Sequence, residues 1–179
     1  MPFRRHAPYN VVELYDYAVG ALARRARSVA ELKRLMRGRV AGQEDGEAMV
    51  GAVVEKLKEQ RYLDDAQFAT AYSSFRREND KFGKLRVITG LKSKGVHGDV
   101  IEKAVAAAYA GVNEEQLARS YLQRKRLQKP SDPKQAARVF RALMRAGFTK
   151  PVVLRILKKW DVEDEVITAL ESEADEAPE

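Results

Sequence analysis

The sequence predicts an all-α fold: three tandem three-helix units strung into an elongated, curved chain. Three observations carry that prediction. Apolar residues recur at three- and four-residue steps along nearly the whole chain, with no sustained strand-like alternation. Paired helix-start signals precede these runs. The same order of starts, stops and apolar stripes also returns about every fifty residues, the mark of a repeat architecture.

In chain order, residues 1–9 form an N-terminal arm. The first unit, 10–63, opens at Asn10 with Glu13 three positions on, followed by Leu14, Tyr17, Ala18, Ala21 and Leu22 on one helical face. Its second helix starts at Ser28/Glu31 and ends in LMRGRV (35–40); its third carries Val53, Val54 and Leu57. AGQEDG (41–46) is expected to be a mobile loop. The second unit, 64–112, opens at Asp64/Gln67 with Phe68, Ala69, Tyr72 and Phe75 as its stripe, and its second helix ends in LKSKGV (91–96). Val100, Ile101, Ala104 and Val105 then mark its third helix. The third unit, 113–160, opens at Asn113/Gln116 with Leu117, Ala118, Tyr121 and Leu122. Asp132/Gln135, with Pro133 at the first helical position, starts its second helix, which ends in LMRAGF (143–148). Val152, Val153, Ile156 and Leu157 follow, with Trp160 sealing the unit. Gly95 and Gly147 follow basic last turns, where a left-handed cap and the carboxyl-end dipole are both satisfied. Units this small are marginal alone and should pack on their neighbours.

Residues 161–179 hold nine acidic and no basic residues; they are expected to form a turn or two of helix before a disordered acidic tail. The net charge of +7 therefore conceals 33 basic against 17 acidic residues in 1–160, a field that attracts polyanions or an acidic protein surface. The tail is expected to shield that charge.

Catalytic chemistry finds no support. There is no cysteine, which excludes disulfides, thiolate zinc sites and cysteine nucleophiles and fits a reducing cytosol. Residues 1–10 lack the apolar stretch of a secretory signal, and no run of ~18 apolar residues spans a membrane. The two histidines are His6 in the arm and His97 in a turn, the latter read as solvent-facing or capping. No phosphate-binding glycine loop, zinc-binding His-Glu-x-x-His or nucleophile elbow occurs. Asp64–Asp65 is the best acidic pair, yet it stands at a helix start, where an acid caps amide donors and faces the positive dipole end. No catalytic, cofactor-binding or metal-binding residue is expected.

The candidate binding residues are cations at comparable places in the three units. Arg24, Arg25 and Arg27, then Arg76 and Arg77, then Arg124, Lys125 and Arg126 end the first helices. Lys33, Arg34 and Arg37, then Lys84, Arg86, Lys92 and Lys94, then Arg138, Arg141 and Arg145 lie on the second helices. Stacked units would join them into a stripe able to meet phosphates or acidic side chains.

These motifs resemble the bacterial RecX family of recombinase regulators over about residues 10–160. Its pattern is carried by ALARRARSVAELKRLMRGR (21–39), with Arg25, Arg27, Ser28, Glu31 and Leu32, and by RYLDDAQFATAYSSFRR (61–77) followed by KFGKLRVITGLKSKGVHGDVIEKAV (81–105), with Leu91, Lys94, Gly95 and Val96. The chain departs from the pattern at Gly83-Lys84, where the family has Gly-Pro, and at Gly90, where an acidic residue is expected. The resemblance implies a small cytoplasmic protein without enzyme activity. It would bind RecA in the groove of the RecA–DNA filament, inhibiting ATPase, strand exchange and coprotease functions. The expected state is a monomer, with direct contact to single- or double-stranded DNA open and no membrane partner. The alternative from the residues alone is a sequence-independent DNA-binding protein of helix-turn-helix-like units.

Overall fold

In a computed structural model of the protein, the described residues run from 8 to 176; His6 and most of the N-terminal arm lie outside them. Among the described residues there are ten helices and no strand. The helices are α1 (Val11–Arg24), α2 (Val29–Arg39), α3 (Gly46–Glu59), α4 (Asp65–Glu78), α5 (Lys84–Ser93), α6 (Gly98–Ala108), α7 (Glu114–Arg124), α8 (Pro133–Arg145), α9 (Lys150–Lys159) and α10 (Asp164–Glu176).

The predicted caps form as hydrogen bonds. The Asn10 side chain accepts from the amides of Val12 and Glu13, while the Glu13 carboxylate accepts from the Asn10 amide. Ser28 and Glu31 form the same reciprocal box at α2. Asp64 accepts from Ala66 and Gln67, Asn113 from Gln116, and Asp132 from Gln135. Each satisfies donors that a helix start leaves orphaned, worth about 1 kcal/mol apiece.

The chain divides into two compact units, Met1–Ala69 with Leu91–Ile101, and Thr70–Gly90 with Glu102–Glu179. In the first, Leu14, Ala18 and Ala21 of α1 pack with Leu32 and Met36 of α2 and Val50, Val53, Val54 and Leu57 of α3. The loop at 41–46 is held rather than loose: the Gln43 side chain accepts from the Tyr9 amide at 3.0 Å and donates to the Tyr9 carbonyl at 2.8 Å. In the second, Ala118 and Leu122 of α7, Val139, Phe140 and Leu143 of α8, and Val153, Ile156 and Leu157 of α9 share a core. Trp160 packs against its edge.

Two expectations need correcting. The acidic segment forms 13 residues of helix, not a turn or two, because Ile167 and Leu170 are buried in the same core as α8 and α9. It is a structural helix, so its removal would open the core. Phe75 is 57% exposed, and Phe68 and Tyr72 are only partly buried. The small residue beside each bulky one is what the core takes: Ala18, Ala69 and Ala118 are all fully buried.

Each compact unit also contains a junction in which the amino end of one second helix meets the carboxyl end of another. In the first unit, the Ser28 hydroxyl at the head of α2 donates to the Lys94 carbonyl after α5, at 2.5 Å. Gly95 there has φ +71°, and a Cβ on it would lie 2.5 Å from that of Ala30. Asp65 reaches across to accept from the Val29 amide at 2.8 Å. In the second unit, the amides of Gly83 and Leu85 at the head of α5 donate to the carbonyls of Ala146 and Gly147, at 2.8 and 3.1 Å. A Cβ on Gly83 would stand 2.2 Å from the Gly147 oxygen, and one on Gly147 (φ +86°) 2.1 Å from the Arg86 nitrogen. Phe82, Tyr121 and Phe148 buttress this contact, with ring centroids 6.3 and 6.1 Å apart. The buried Tyr109 hydroxyl donates to the Phe82 carbonyl at 2.6 Å.

Gly90 has a different role. A Cβ there would lie 2.3 Å from the Tyr72 hydroxyl, the far end of a flexible side chain. Gly147→Ala is therefore expected to cost about 2–4 kcal/mol, combining a left-handed backbone with a backbone clash. Gly90→Ala should change stability by no more than about 1 kcal/mol, since helix propensity offsets the displaced ring. Urea unfolding of both variants checks the contrast.

Candidate partner-binding surface

Eighteen cations are the sequence candidates, and internal pairing sorts them. In the first compact unit, Arg25 lies 3.5 Å from Glu31, and Arg27 donates to the Ala21 carbonyl at 3.3 Å. Arg37 forms a two-pronged pair with Glu47 at 2.7 and 3.0 Å. Lys94 reaches Glu31 at 2.9 Å and lies over the Phe68 ring at 5.9 Å. In the second, Arg76 pairs with Asp80 at 2.7 Å while stacking over Tyr72 at 4.9 Å. Arg124 lies 3.5 Å from the same Asp80. Arg77 donates to the Ala108 carbonyl and to Glu78. Lys84 stands 3.3 Å from Glu114. Arg86 and Lys125 sit over Phe82 and Tyr121, at 5.9 and 5.8 Å.

Ten of the eighteen thus hold the fold together as well as carrying charge. Arg24, Arg34, Lys92, Arg126, Arg138 and Arg145 are exposed and make no ion pair among the described residues. Lys33 is partly buried on α2, its charge helping to lower the pKa of Glu47, and Arg141 is exposed on α8.

Two acids have distant partners that were not visible in the sequence. Glu31 is 6% exposed and serves three partners: the Ser28 amide, Arg25 and Lys94. Its capping role is a local signal, but Lys94 is 63 residues away. Burial pushes its carboxyl up, yet the Lys94 hydrogen bond, the Ser28 amide and the charges of Lys94 and Arg25 together bring it below the usual carboxylate value. Asp65, the second half of the acidic pair, caps α2 rather than its own helix. Lys134 was missed on α8; its four-residue spacing from Arg138 is the signal that finds it.

Nothing in this arrangement assembles reactive groups. Among the described residues no group of three His, Asp or Glu could hold a metal, and no helix is long and apolar enough to cross a membrane. His97 is exposed, its ring 2.5 Å from Asp99 beside the start of α6. What the described residues present is a set of exposed cations on helical triplets.

Known proteins match the chain in sequence and in fold. Residues 64–105 match the model of the RecX second three-helix domain. The chain is 32% identical over 152 residues to the regulatory protein RecX of Leptothrix cholodnii, spanning 85% of this chain and 92% of that one. It is 34% identical over 143 residues to that of Mycolicibacterium vanbaalenii, spanning 76% of each. Against the regulatory protein RecX of Geobacillus kaustophilus it is 31% identical over 150 residues, but spans only 54% of that longer chain. The fold is similar to the crystal structure of RecX from Lactobacillus salivarius, with TM-score 0.67 at 17% identity, covering 84% of this chain and 96% of that one. The chain belongs to the RecX family of regulatory proteins.

Glu31→Gln is expected to destabilise the protein by about 2–3 kcal/mol at neutral pH, because Lys94 loses its buried partner. The lowered pKa means this stabilisation is present above the unfolded carboxyl value, near pH 4.3, and fades as pH falls through the lower folded value. Denaturant unfolding at pH 7 and pH 3 should show the gap between the two proteins closing in acid.

Proposed function

We propose that this protein regulates the RecA recombinase by binding its nucleoprotein filament and inhibiting its ATPase, strand-exchange and coprotease activities. The observation that carries the reading is membership of the RecX family, together with exposed cations such as Arg34, Lys92, Arg138 and Arg145 that make no ion pair among the described residues. In this reading the protein acts as a cytoplasmic monomer without a reaction of its own. Arg24, Arg34, Lys92, Arg138 and Arg145 make the principal contacts. The paired cations, such as Arg25, Arg76 and Lys94, contribute by holding the helices on which those contacts stand. Individually moderate contacts then add through multivalency, because one chain presents several cationic helices at once.

A second reading, sequence-independent DNA binding, is favoured by the absence of carboxylates on α8 and α9. It requires naked DNA and filament to bind alike, whereas filament regulation requires firmer binding to the filament.

The test is the DNA-dependent ATPase of RecA titrated with this protein. Inhibition is expected at near-stoichiometric amounts. Replacing Arg24, Arg34 and Lys92 together with glutamine should raise the half-inhibitory concentration about tenfold, at roughly 0.5 kcal/mol per exposed charge contact. Full ATPase activity in the presence of excess protein would contradict the proposal.

A further inference from the structure

A cavity of about 130 Å³ opens where the head of α8 meets the turn between α9 and α10. Its floor is apolar. Ala136 is buried, and Val162 and Val166 pack against the core that α8 and α9 share. Pro130 and Pro133 form a wall whose rings fix the backbone, so that side is in place before any ligand arrives. The floor depends on α10 packing as a structural helix: Val166 stands beside Ile167, which the core buries.

The polar lining is anionic. It consists of the Ser131 hydroxyl and the carboxylates of Asp132, Asp161 and Glu163, and no cation lines the cavity. The three carboxylates are not equivalent. Both Asp132 oxygens are taken by Gln135, one by its backbone amide at 2.7 Å and one by its side-chain amide at 2.8 Å. Asp161 accepts from the Lys129 ammonium at 2.9 Å. Glu163 is exposed and makes no ion pair among the described residues. An ammonium group on an alkyl chain thus already meets one carboxylate of this cavity, supplied by the chain's own lysine.

The acids alone assign no ligand; the enclosed apolar floor beneath them does. A polyanion is repelled by this lining, and residues 161–179, with nine acidic and no basic residues, reinforce the local negative field. Among the described residues no three His, Asp or Glu are grouped to hold a metal. A small inorganic cation would leave the apolar floor unused. A short alkyl chain ending in an ammonium uses both parts: its methylenes cover Ala136, Val162 and Val166 while its head reaches the carboxylates, as lysine stems do on protein surfaces. Cavities of about 150 Å³ admit a benzene-sized molecule, so a four-carbon chain is of the right size.

We infer that this cavity binds a primary alkylammonium group, with Glu163 as its main ionic partner. A free aliphatic diamine and a lysine side chain of another protein carry the same group. The site does not rest on the proposed regulation of RecA and is tested without it. The probes are 1,4-diaminobutane and N-acetyl-lysine methylamide, added separately to the full chain labelled with nitrogen-15. Proton–nitrogen correlation spectra should show saturable shifts centred on the amides of Ser131, Asp132, Ala136, Val162 and Val166. A dissociation constant of about a millimolar is expected for the six-atom diamine. Glu163→Gln should weaken binding about tenfold. It should melt with the wild type, because the side chain is exposed and unpaired among the described residues. Lys129→Gln should tighten binding about threefold by freeing Asp161. Lys134→Gln, which removes the same charge outside the cavity lining, should bind as wild type. Ammonium chloride and magnesium chloride at matched ionic strength supply charge without an alkyl chain and should not reproduce the shifts.

Saturation by the diamine alone would identify a free amine as the ligand, and by the lysine amide alone a protein side chain; either supports the inference. Saturation by neither would overturn it. The same shifts from ammonium or magnesium would also overturn it, by reducing the site to acidic attraction. So would unchanged affinity in Glu163→Gln, or equal gains in Lys129→Gln and Lys134→Gln.

Discussion

The structure depends on two places where segments of the chain approach too closely for a further side chain to stand between. At the second-unit junction, the head of α5 donates amides directly into the carbonyl end of α8, and Gly83 and Gly147 are both needed for the approach. At the first, the Ser28 hydroxyl replaces a backbone donor, and only Gly95 clears Ala30. At the second-unit junction, amides at the positive end of one helix dipole thus meet carbonyls at the negative end of another, satisfying orphan groups on both. Pattern alone explains why the same six-residue ending recurs in LKSKGV and LMRAGF. The first triplet closes instead with LMRGRV, placing Arg39 where the other two have glycine. Arg39 remains helical and lies over the Tyr17 ring at 4.6 Å.

The same geometry decides which cations are available to a partner. Those near a junction are drawn into it: Lys94 and Arg25 by Glu31, Arg76 and Arg124 by Asp80, Lys84 by Glu114. Losing one of these would disturb folding as well as remove a surface charge, and a simple charge count over the sequence cannot separate the two effects. The outward faces of α2, α5 and α8 retain cations that serve no internal contact. The fold therefore holds these helices by backbone hydrogen bonds at the junctions together with the paired cations, and leaves the remaining cations exposed.

Much of this was legible in the sequence. Helical periodicity, five capping pairs and two glycine stops located all nine triplet helices, because caps and apolar stripes are local signals. Asp64 was correctly read as a cap. Asp65 was not, since its acceptor role depends on Val29 arriving from 36 residues away. Lys84 and Gly90 read as departures from the family pattern; Gly90 has a tertiary reason, the nearby Tyr72 ring, while Gly83, which keeps the family's glycine, admits the Gly147 carbonyl. Phe75 matched the helical stripe but faces outward, because a four-residue step marks a face without saying how wide the buried part is. The acidic helix was under-read because its apolar residues are few, and that the core buries Ile167 and Leu170 is a tertiary fact no local signal carries.

The central claim is that the outward faces of the cationic second helices meet the nucleoprotein filament. Amide hydrogen exchange of the whole chain, with and without RecA assembled on single-stranded DNA, tests it most directly. The account expects added protection in peptides covering 29–39, 84–93 and 133–145. Exchange unchanged in all three segments, or protection confined to α3, α6 and α10, would contradict it.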